Sequence, residues 1–182
     1  EAAAEAVQAR APRFDAVIIA SGWLHDAQHQ PEKSVRSLSM SAFERAYAIN
    51  AAGPLTLLAA LLPALRAPTG TPRTRIMVLS AKVGSIGDNS LGGWHSYRMA
   101  KAALNMGVRN LGIEFARNAR SPLIAAVHPG TTETPLSAPF AKRGLPVMRA
   151  ATTAARLLDF LSAMTDDHQG GFFHWDGSPL PP

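Results

Sequence analysis

Short apolar runs that are typical of strands alternate with longer helical segments along this sequence. The runs lie at residues 14–20, 74–79, 122–127 and 171–175. The predicted helices lie between them, at residues 39–48, 50–65, 96–117 and 150–164. Strands joined by helices of this length require crossover connections, which place them in one parallel sheet with helices on both faces. The sequence therefore predicts an α/β fold with a doubly wound parallel sheet, in a single domain over residues 1–182.

Local signals set the boundaries of these elements. The run at residues 14–20 is apolar almost without a break, which predicts a buried parallel strand. Ser39 is in position to cap the first helix at its N-terminus. Asn50 is predicted to open the second helix, and Pro129 with Gly130 stops the third strand.

The composition argues against several classes of protein. Lysine and arginine number 18 against 13 aspartates and glutamates, a formal charge of +5, but they are scattered, so we expect no nucleic-acid partner. The absence of cysteine excludes disulfides, thiolate zinc sites and a cysteine nucleophile, and is compatible with the cytoplasmic location that we expect. Pro63 interrupts the longest apolar run, so we expect no stretch of the roughly 18 apolar residues that span a membrane.

Tyr97 and Lys101 are the first candidates for catalysis. They stand four residues apart in a predicted helix, which puts both side chains on one face, one turn apart. A phenol titrates near pH ~10, and it is a poor acid or base at neutral pH unless a neighbouring cation favours its ionised form. Because an amphipathic helix can carry this spacing by chance, the pair alone is a weak signal.

Several polar and turn-forming residues fall at the ends of the predicted strands. Ser21 and Gly22 follow the first strand, Ser80 ends the second, and Pro129 and Gly130 follow the third. In an open parallel sheet, ligands bind at the carboxyl ends of the strands. The helix of the tyrosine–lysine pair begins beyond the same edge, so the pair and these strand ends are predicted to form one site.

These residues give the sequence a resemblance to the short-chain dehydrogenase/reductase family over essentially its whole length, and more narrowly to the C-factor-like branch. The branch features are His25-Asp26, Pro31-Glu32-Lys33, residues 83–89, residues 170–173 and Asp176-Gly177. The resemblance implies a Rossmann-type fold and an oxidoreductase that transfers hydride between NAD or NADP and a carbonyl or alcohol substrate. It also implies a homodimer or homotetramer, with the helices at 50–65 and 96–117 in the interface.

The same resemblance implies the roles of the site residues. Tyr97 would be the general acid/base, Lys101 would lower its pKa and hold the nicotinamide ribose, and Asn50 would keep a water in the proton relay. Pro129, Gly130 and Thr134 would border the nicotinamide carboxamide. The adenosine ribose would lie beside the end of the first strand, at Ser21 and Gly22.

The catalytic serine is ambiguous in this sequence. The position that usually carries it in the family is Ala81, and Ser80 directly precedes that position. Ser85 lies twelve residues before Tyr97, close to the usual separation. Such a serine hydrogen-bonds the substrate oxygen where negative charge develops. Ser85 and Ser80 are both candidates, with Ser85 slightly preferred, and a plain turn or strand-end role stays open for each.

The sequence departs from the family pattern at its beginning. The glycine-rich turn after the family's first strand, which places pyrophosphate on a helix N-terminus, is absent, and the strand at residues 14–20 matches the family's fourth. The Rossmann-type sheet is therefore expected to be partial, lacking the first β-α-β-α-β segment, as in a truncated enzyme. The residue that selects NAD or NADP lies in the same segment. Either cofactor stays open, and we expect the 182-residue chain to bind dinucleotides weakly or not at all.

Two functional hypotheses follow. The first is an NAD(P)-dependent oxidoreductase whose active-site half is nearly complete and which acts on a small carbonyl or alcohol. The second is a non-catalytic interaction or signalling protein that reuses the fold. The missing cofactor segment and Ala81 favour the second hypothesis, whereas the tyrosine–lysine pair favours the first.

Histidines supply only weaker candidates. His25 and His29 have an i, i+4 spacing that could suggest a metal pair, but they lie in a polar loop without a recognisable third ligand, so we expect no metal. His95 could touch substrate but is more typical of a helix start. His128 is more typical of a strand end than of a proton shuttle.

Overall fold

One parallel sheet organises the part of the chain that the structure describes. The structure is a computed structural model, and it describes residues 5, 6, 9, 11, 13–140 and 146–182. Neighbouring strands of the sheet are parallel throughout. In spatial and sequence order they are β1 (Ala16–Ile19), β2 (Arg75–Leu79), β3 (Leu123–His128) and β4 (Phe172–His174). All four coincide with the predicted apolar runs, which confirms the α/β fold and the parallel sheet.

Helices connect the strands. They are α1 (Met40–Tyr47), α2 (Gly53–Leu65), α3 (His95–Phe115) and α4 (Ala150–Ala163). The predicted cap of α1 is present, because the Ser39 hydroxyl oxygen accepts a hydrogen bond from the Ala42 amide at 3.3 Å. Between β1 and α1 lies a polar loop, residues 23–38, which we call the first loop.

Asn50 does not open a helix, contrary to the prediction. It lies inside a π-helical turn, Ala48–Ala52, that joins α1 to α2 in one continuous helix. The physical reason is Pro54, which has no N–H group to donate to the Asn50 carbonyl four residues earlier. The chain widens by one residue instead, with the Gly53 amide donating to the Ala48 carbonyl.

The continuous helix also corrects the expectation about apolar length. It runs over Met40–Leu65, 26 residues, and is long and apolar enough to cross a membrane by length and composition alone. Pro63 was expected to interrupt this run, but it lies inside α2 without ending it. The core helix of a globular domain passes the same test, and Leu58, Leu61 and Leu65 of this helix are buried against the sheet and α3.

The two faces of the sheet carry separate cores. Side chains alternate between faces along a strand, so Ile76 and Val78 of β2 face α2 and α3, where they pack in one cluster with Leu104. Met77 of β2 faces the other way and packs with Leu157 and neighbouring residues of α4. Helices therefore cover both faces, as the doubly wound prediction requires.

β1 is less buried than predicted. Ile18 is 42% exposed and Ala16 is also exposed, whereas Ile19 is buried. β1 pairs with β2 only, so it forms the edge of the described sheet. An apolar groove of about 590 Å³ runs along this edge, between Phe14 and Leu61. The continuous apolar run correctly indicated a strand, but burial also depends on neighbours that the described residues do not provide.

Candidate active site

Tyr97 and Lys101 lie on one face of the first turns of α3, as their spacing predicted. Tyr97 is 8% exposed. Burial raises the pKa of its phenol to about 12, the opposite direction to the lowering by Lys101 that the resemblance implies. The Lys101 ammonium nitrogen lies 5.9 Å from the centroid of the tyrosine ring. Among the described residues, no hydrogen-bond partner engages the Tyr97 hydroxyl, so its donor is available to a ligand.

Lys101 is held at the end of β2. The side chain is 3% exposed, and its ammonium donates a hydrogen bond to the Leu79 carbonyl at 2.8 Å. Burial lowers the pKa of Lys101 to about 8, so the ammonium is still mostly protonated at neutral pH. A short 3₁₀ turn, Lys82–Gly84, packs closely against the turn of α3 that carries Lys101. A Cβ atom on Gly84 would lie only 2.7 Å from Lys101 Cβ.

Asn50 is fully buried and fixes the start of the first loop. Its side-chain oxygen accepts from the Trp23 amide, and its side-chain nitrogen donates to the Trp23 carbonyl, both at 2.8 Å. The π-helical turn places this side-chain amide at the end of β1. A Cβ atom on Gly22 would lie 3.8 Å from Asn50 Oδ1. The predicted site residues Asn50 and Gly22 are therefore neighbours.

The two candidate serines have different surroundings. Ser80 is buried, and its hydroxyl donates to Asn105 Oδ1 of α3 at 2.6 Å. Ser85 is also buried, and its hydroxyl oxygen accepts from the Asp88 amide at 3.0 Å. The proton of Ser85 has only a longer contact, 3.4 Å, to the Pro182 carbonyl. The Ser80 proton is therefore held by a hydrogen bond to α3, whereas the Ser85 proton makes only a long contact.

The remaining predicted residues lie at the carboxyl ends of the strands. Ser21 and Gly22 follow β1, and Pro129 and Gly130 follow β3. Gly130 has a φ of +79°, and a Cβ atom there would lie 2.5 Å from Met148, so this turn requires glycine. The Thr134 hydroxyl lies 3.2 Å from the Ser137 hydroxyl in the segment that follows. These positions and the start of α3 share the carboxyl edge of the sheet.

Glu32 and Trp94 also contact the site, although the sequence did not predict them as site residues. Glu32 is 5% exposed, and its carboxylate accepts hydrogen bonds from the amide and the hydroxyl of Ser96. The Trp94 ring lies edge-on to Tyr97, with centroids 6.4 Å apart. The only sequence signal for the left-handed backbone at Trp94 is the Gly92-Gly93 pair before it. No local sequence signal marks the contact between Glu32 and Ser96, which lie 64 positions apart.

The histidines of the first loop have separate partners. His25 Nε2 lies 3.2 Å from the Leu136 carbonyl oxygen, whereas His29 Nδ1 lies 3.0 Å from Asp26 Oδ1. Asp26 also accepts from the Gln28 and His29 amides, and these hydrogen bonds hold the pKa of its carboxyl far below the usual range. Within the described ranges, no group of three histidine, aspartate or glutamate side chains is placed to hold a metal ion.

His128 lies at the end of β3, where the strand-end interpretation put it. Burial lowers the pKa of its imidazole to about 4, with smaller contributions from His174 and Lys82. Its Nδ1 atom is buried without a hydrogen-bond partner among the described residues. A neutral imidazole at physiological pH is the consequence.

Comparison with known proteins agrees with this architecture. A family profile described as enoyl-(acyl carrier protein) reductase matches residues 1–160. The C-signal protein of Myxococcus xanthus is 35% identical over 137 residues, which cover 75% of this chain and 76% of that protein. The 1-hydroxy-2-glutathionyl-2-methyl-3-butene dehydrogenase of Rhodococcus sp. (strain AD45) is 31% identical over 182 residues, covering 99% of this chain and 74% of that protein.

A solved structure supports the same relationship. The NADPH-bound carbonyl reductase from chicken fatty liver superimposes with a TM-score of 0.86 at 25% identity, and the match covers 100% of this chain and 71% of that one. The chain thus spans about three quarters of the length of these relatives. The profile match, the two sequence relatives and the superposition agree with the resemblance noted in the sequence. The chain belongs to the short-chain dehydrogenase/reductase family, and its similarity to C-signal agrees with the C-factor-like branch.

Proposed function

We propose that this chain carries the proton-transfer site of an NAD(P)-dependent oxidoreductase that interconverts a carbonyl and an alcohol. The observation that carries the proposal is the buried pair of Tyr97 and Lys101 at the carboxyl edge of the parallel sheet. Burial shifts the pKa values of both groups, and perturbed pKa values cluster at functional sites. The dehydrogenase and carbonyl reductase relatives favour the same chemistry.

Tyr97 would be the proton donor in carbonyl reduction, although burial makes its phenol a weaker acid than a free one, so the neighbouring Lys101 charge has to offset this. With a pKa of about 12 it is a neutral phenol at physiological pH, and its hydroxyl has no competing acceptor among the described residues. As its proton moves to the substrate oxygen, negative charge forms on the phenolate. The Lys101 ammonium stabilises that charge, since an opposite charge nearby favours the ionised form. In the oxidation direction the same phenolate would accept the proton.

The residues around Lys101 fit a nicotinamide ribose. An ammonium has three donors, and the Leu79 carbonyl occupies one of them. The other two have no hydrogen-bond partner among the described residues and would be the donors to ribose hydroxyls. Ser21, Gly22, Pro129 and Gly130 border the same edge. When bound, the nicotinamide would supply or accept the hydride. Asn50 would hold the start of the first loop against the π-helical turn through its two hydrogen bonds to the Trp23 main chain.

Ser85 is our candidate for the substrate-oxygen donor. Its hydroxyl proton has only the long contact to the Pro182 carbonyl, whereas the Ser80 proton is held by Asn105. A hydroxyl that is free to reorient can donate to an oxygen where negative charge develops. Ala81, at the position that usually carries the family's serine, cannot donate a side-chain hydrogen bond.

A non-catalytic interaction or signalling role is the second candidate. It is favoured by Ala81 and by the similarity to a protein named C-signal. The two proposals differ in what a substitution of Tyr97 does. An enzyme loses turnover when the phenolic proton is removed, whereas a binding protein keeps its binding activity.

Tyr97→Phe decides between them in a form long enough to span the length of the relatives. We expect reductase turnover with NADH or NADPH to fall below detection while cofactor affinity by calorimetry changes less than about threefold, because the ring remains and only the proton is lost. Tyr47→Phe, which replaces the other, exposed tyrosine of the chain, is the matched control. Retained turnover in Tyr97→Phe would remove Tyr97 from the acid/base role. A wild type that binds cofactor but reduces no member of a carbonyl panel would favour the non-catalytic role.

We also propose that the protein assembles as a homodimer or homotetramer. Met99, Met106 and Ile113 recur every seven residues along α3, and all three are exposed. A seven-residue spacing keeps side chains on one face of a helix. Exposed apolar stripes of this kind mark protein–protein contacts, and a second copy of the same face would bury them.

A further inference from the structure

The first turn of α3 lacks a cap of its own. Trp94 precedes the helix with φ 49° and ψ 41°, a left-handed conformation, and its side chain makes no capping hydrogen bond. The first turn also contains no acidic residue. The first amide groups of a helix have no partner within the helix, so they must find acceptors elsewhere.

Glu32 of the first loop supplies those acceptors. Its carboxylate accepts from the Ser96 amide at 3.2 Å and from the Ser96 hydroxyl. Its main-chain carbonyl accepts from the Trp94 amide at 2.5 Å. A buried carboxylate at this position also opposes the positive end of the helix dipole. One residue, 64 positions away, therefore holds both the left-handed entry and the first turn of the helix.

The loop that carries Glu32 is anchored at its other end on Asn50. Both main-chain groups of Trp23 are bonded to the Asn50 side chain at 2.8 Å. The Trp23 ring nitrogen then donates to Asp26 at 3.2 Å, and Arg45 of α1 pairs with the same carboxylate at 3.1 Å. The first loop thus links the Asn50 turn to the start of α3 through side-chain contacts.

A small cavity lies where the loop meets the helix. It measures about 160 Å³ and is lined by residues of the first loop, including His29 and Glu32, and by Ser96 and Tyr97. Tyr97 directly follows Ser96, and the exposure of its ring depends on how closely the loop approaches. Contacts that hold Ser96 therefore also set the direction and the hydration of the Tyr97 side chain.

We infer that Glu32 is a positioning residue, which orients Tyr97 for proton transfer by fixing Ser96 and the left-handed entry at Trp94. For its kinetic consequence the inference rests on the proposed function. Its structural consequence, a change in the surroundings of Tyr97, does not depend on turnover.

The test compares Glu32→Ala with Glu32→Gln. Alanine removes the acceptors of both the Ser96 amide and the Ser96 hydroxyl. Glutamine loses the charge but keeps one oxygen acceptor for the amide, and its NH2 group can donate to the Ser96 hydroxyl oxygen. Glu44→Ala removes an exposed glutamate from α1 and serves as the control. Ser96→Ala, which deletes only the hydroxyl contact, is the milder variant if Glu32→Ala does not fold by circular dichroism.

The first readout is the titration of Tyr97 by ultraviolet absorbance in a Tyr47→Phe background, where it is the only tyrosine. In the parent we expect a pKa of about 12. In Glu32→Ala, or Ser96→Ala in its place, water enters the cavity and the pKa falls by about one unit or more toward the ordinary value near 10. The glutamine variant should titrate like the parent.

The second readout is steady-state kinetics in the longer form. We expect kcat to fall about tenfold or more in Glu32→Ala with KM nearly unchanged, because the substrate still binds while the proton donor is misaligned. Glutamine should restore most of kcat. An unchanged Tyr97 titration in a folded alanine variant would overturn the inference whether or not the protein is an enzyme. So would a shifted titration with unchanged kcat in an active enzyme, and a wild type without turnover would count against the proposed function alone.

Discussion

Replacement of Lys101 by methionine tests whether the buried ammonium is held at a cost to stability. Lys101 is 3% exposed, and burial lowers its pKa from 10.5 to about 8. Its one hydrogen bond goes to the Leu79 carbonyl. No carboxylate of the described residues lies within ion-pair distance of it. The native state therefore holds this charge less favourably than the unfolded chain does.

The shift in pKa sets the magnitude. Each pKa unit corresponds to about 1.4 kcal/mol, so the shift from 10.5 to about 8 destabilises the charged native state by roughly 3 kcal/mol at neutral pH. Loss of the hydrogen bond to the Leu79 carbonyl offsets about 1–2 kcal/mol of the gain from removing the charge. We therefore expect Lys101→Met to raise the free energy of unfolding by roughly 1–2 kcal/mol near neutral pH.

The sign of the pH dependence follows from proton linkage. Between the native pKa of about 8 and the unfolded value of 10.5, the unfolded chain binds more protons, so wild-type stability rises with pH. The methionine variant lacks this contribution. Its advantage over the wild type is complete below pH ~8 and shrinks by roughly 2 kcal/mol between pH ~7 and pH ~9.5. Tyr97, with a pKa of about 12, titrates above this window in both proteins.

Urea unfolding at several pH values and constant ionic strength measures this difference. Lys33→Met removes an exposed lysine of the first loop and controls for a general effect of losing one positive charge. The reasoning fails if Lys101→Met is less stable than the wild type at neutral pH. It also fails if the difference between the two does not change with pH, because the ammonium would then not be buried at a cost.

Three further expectations concern the site, the packing and the assembly. Ser85→Ala should lower kcat about tenfold to a hundredfold in the longer form and Ser80→Ala much less, and steady-state kinetics that reverse this order would reassign the serine. Gly112→Ala should cost about 1–3 kcal/mol of unfolding free energy by urea titration, because its Cβ would lie 2.3 Å from main-chain atoms of the adjacent loop. Gly107→Ala on the same helix meets only a leucine side chain that can rotate, so its cost should be smaller, and equal costs would contradict this reasoning. Met106→Glu should convert the proposed dimer or tetramer to monomer in light scattering, and an unchanged mass would exclude α3 from the interface.

The sequence was sufficient to predict the strands, because four apolar runs separated by helices leave few alternatives to a parallel sheet. The tyrosine–lysine pair was predictable for the same kind of reason, since helical spacing fixes which side chains share a face. The π-helical turn at Asn50 was not predicted, although its cause, Pro54, is visible in the sequence. A proline one turn beyond a helical residue can end, kink or widen a helix, and tertiary packing decides which.

The contacts of Glu32 show a different limit. Nothing near residue 32 in the sequence indicates that its carboxylate reaches the first turn of a helix 64 residues later. The exposure of Ile18 was likewise not predictable, because an apolar run shows that a strand is suited to burial and not which neighbours cover it. Local patterns therefore predicted the elements and the same-face pairs, whereas the long-range polar contacts and the sheet edge required the structure.

The energetics of Lys101 bear on the choice between the two functions. A buried ammonium with one carbonyl partner destabilises the fold, and an apolar side chain of similar length would pack there at lower cost. Structural reasons alone therefore do not account for a lysine at this position. The same charge is useful if a phenolate must form beside it, because its stabilising effect is largest where water is excluded. A protein that neither held a ribose nor formed a phenolate here would have no use for that charge, so a stabilising Lys101→Met that also abolishes turnover would favour the enzyme, and one that leaves every function intact would favour the binding protein.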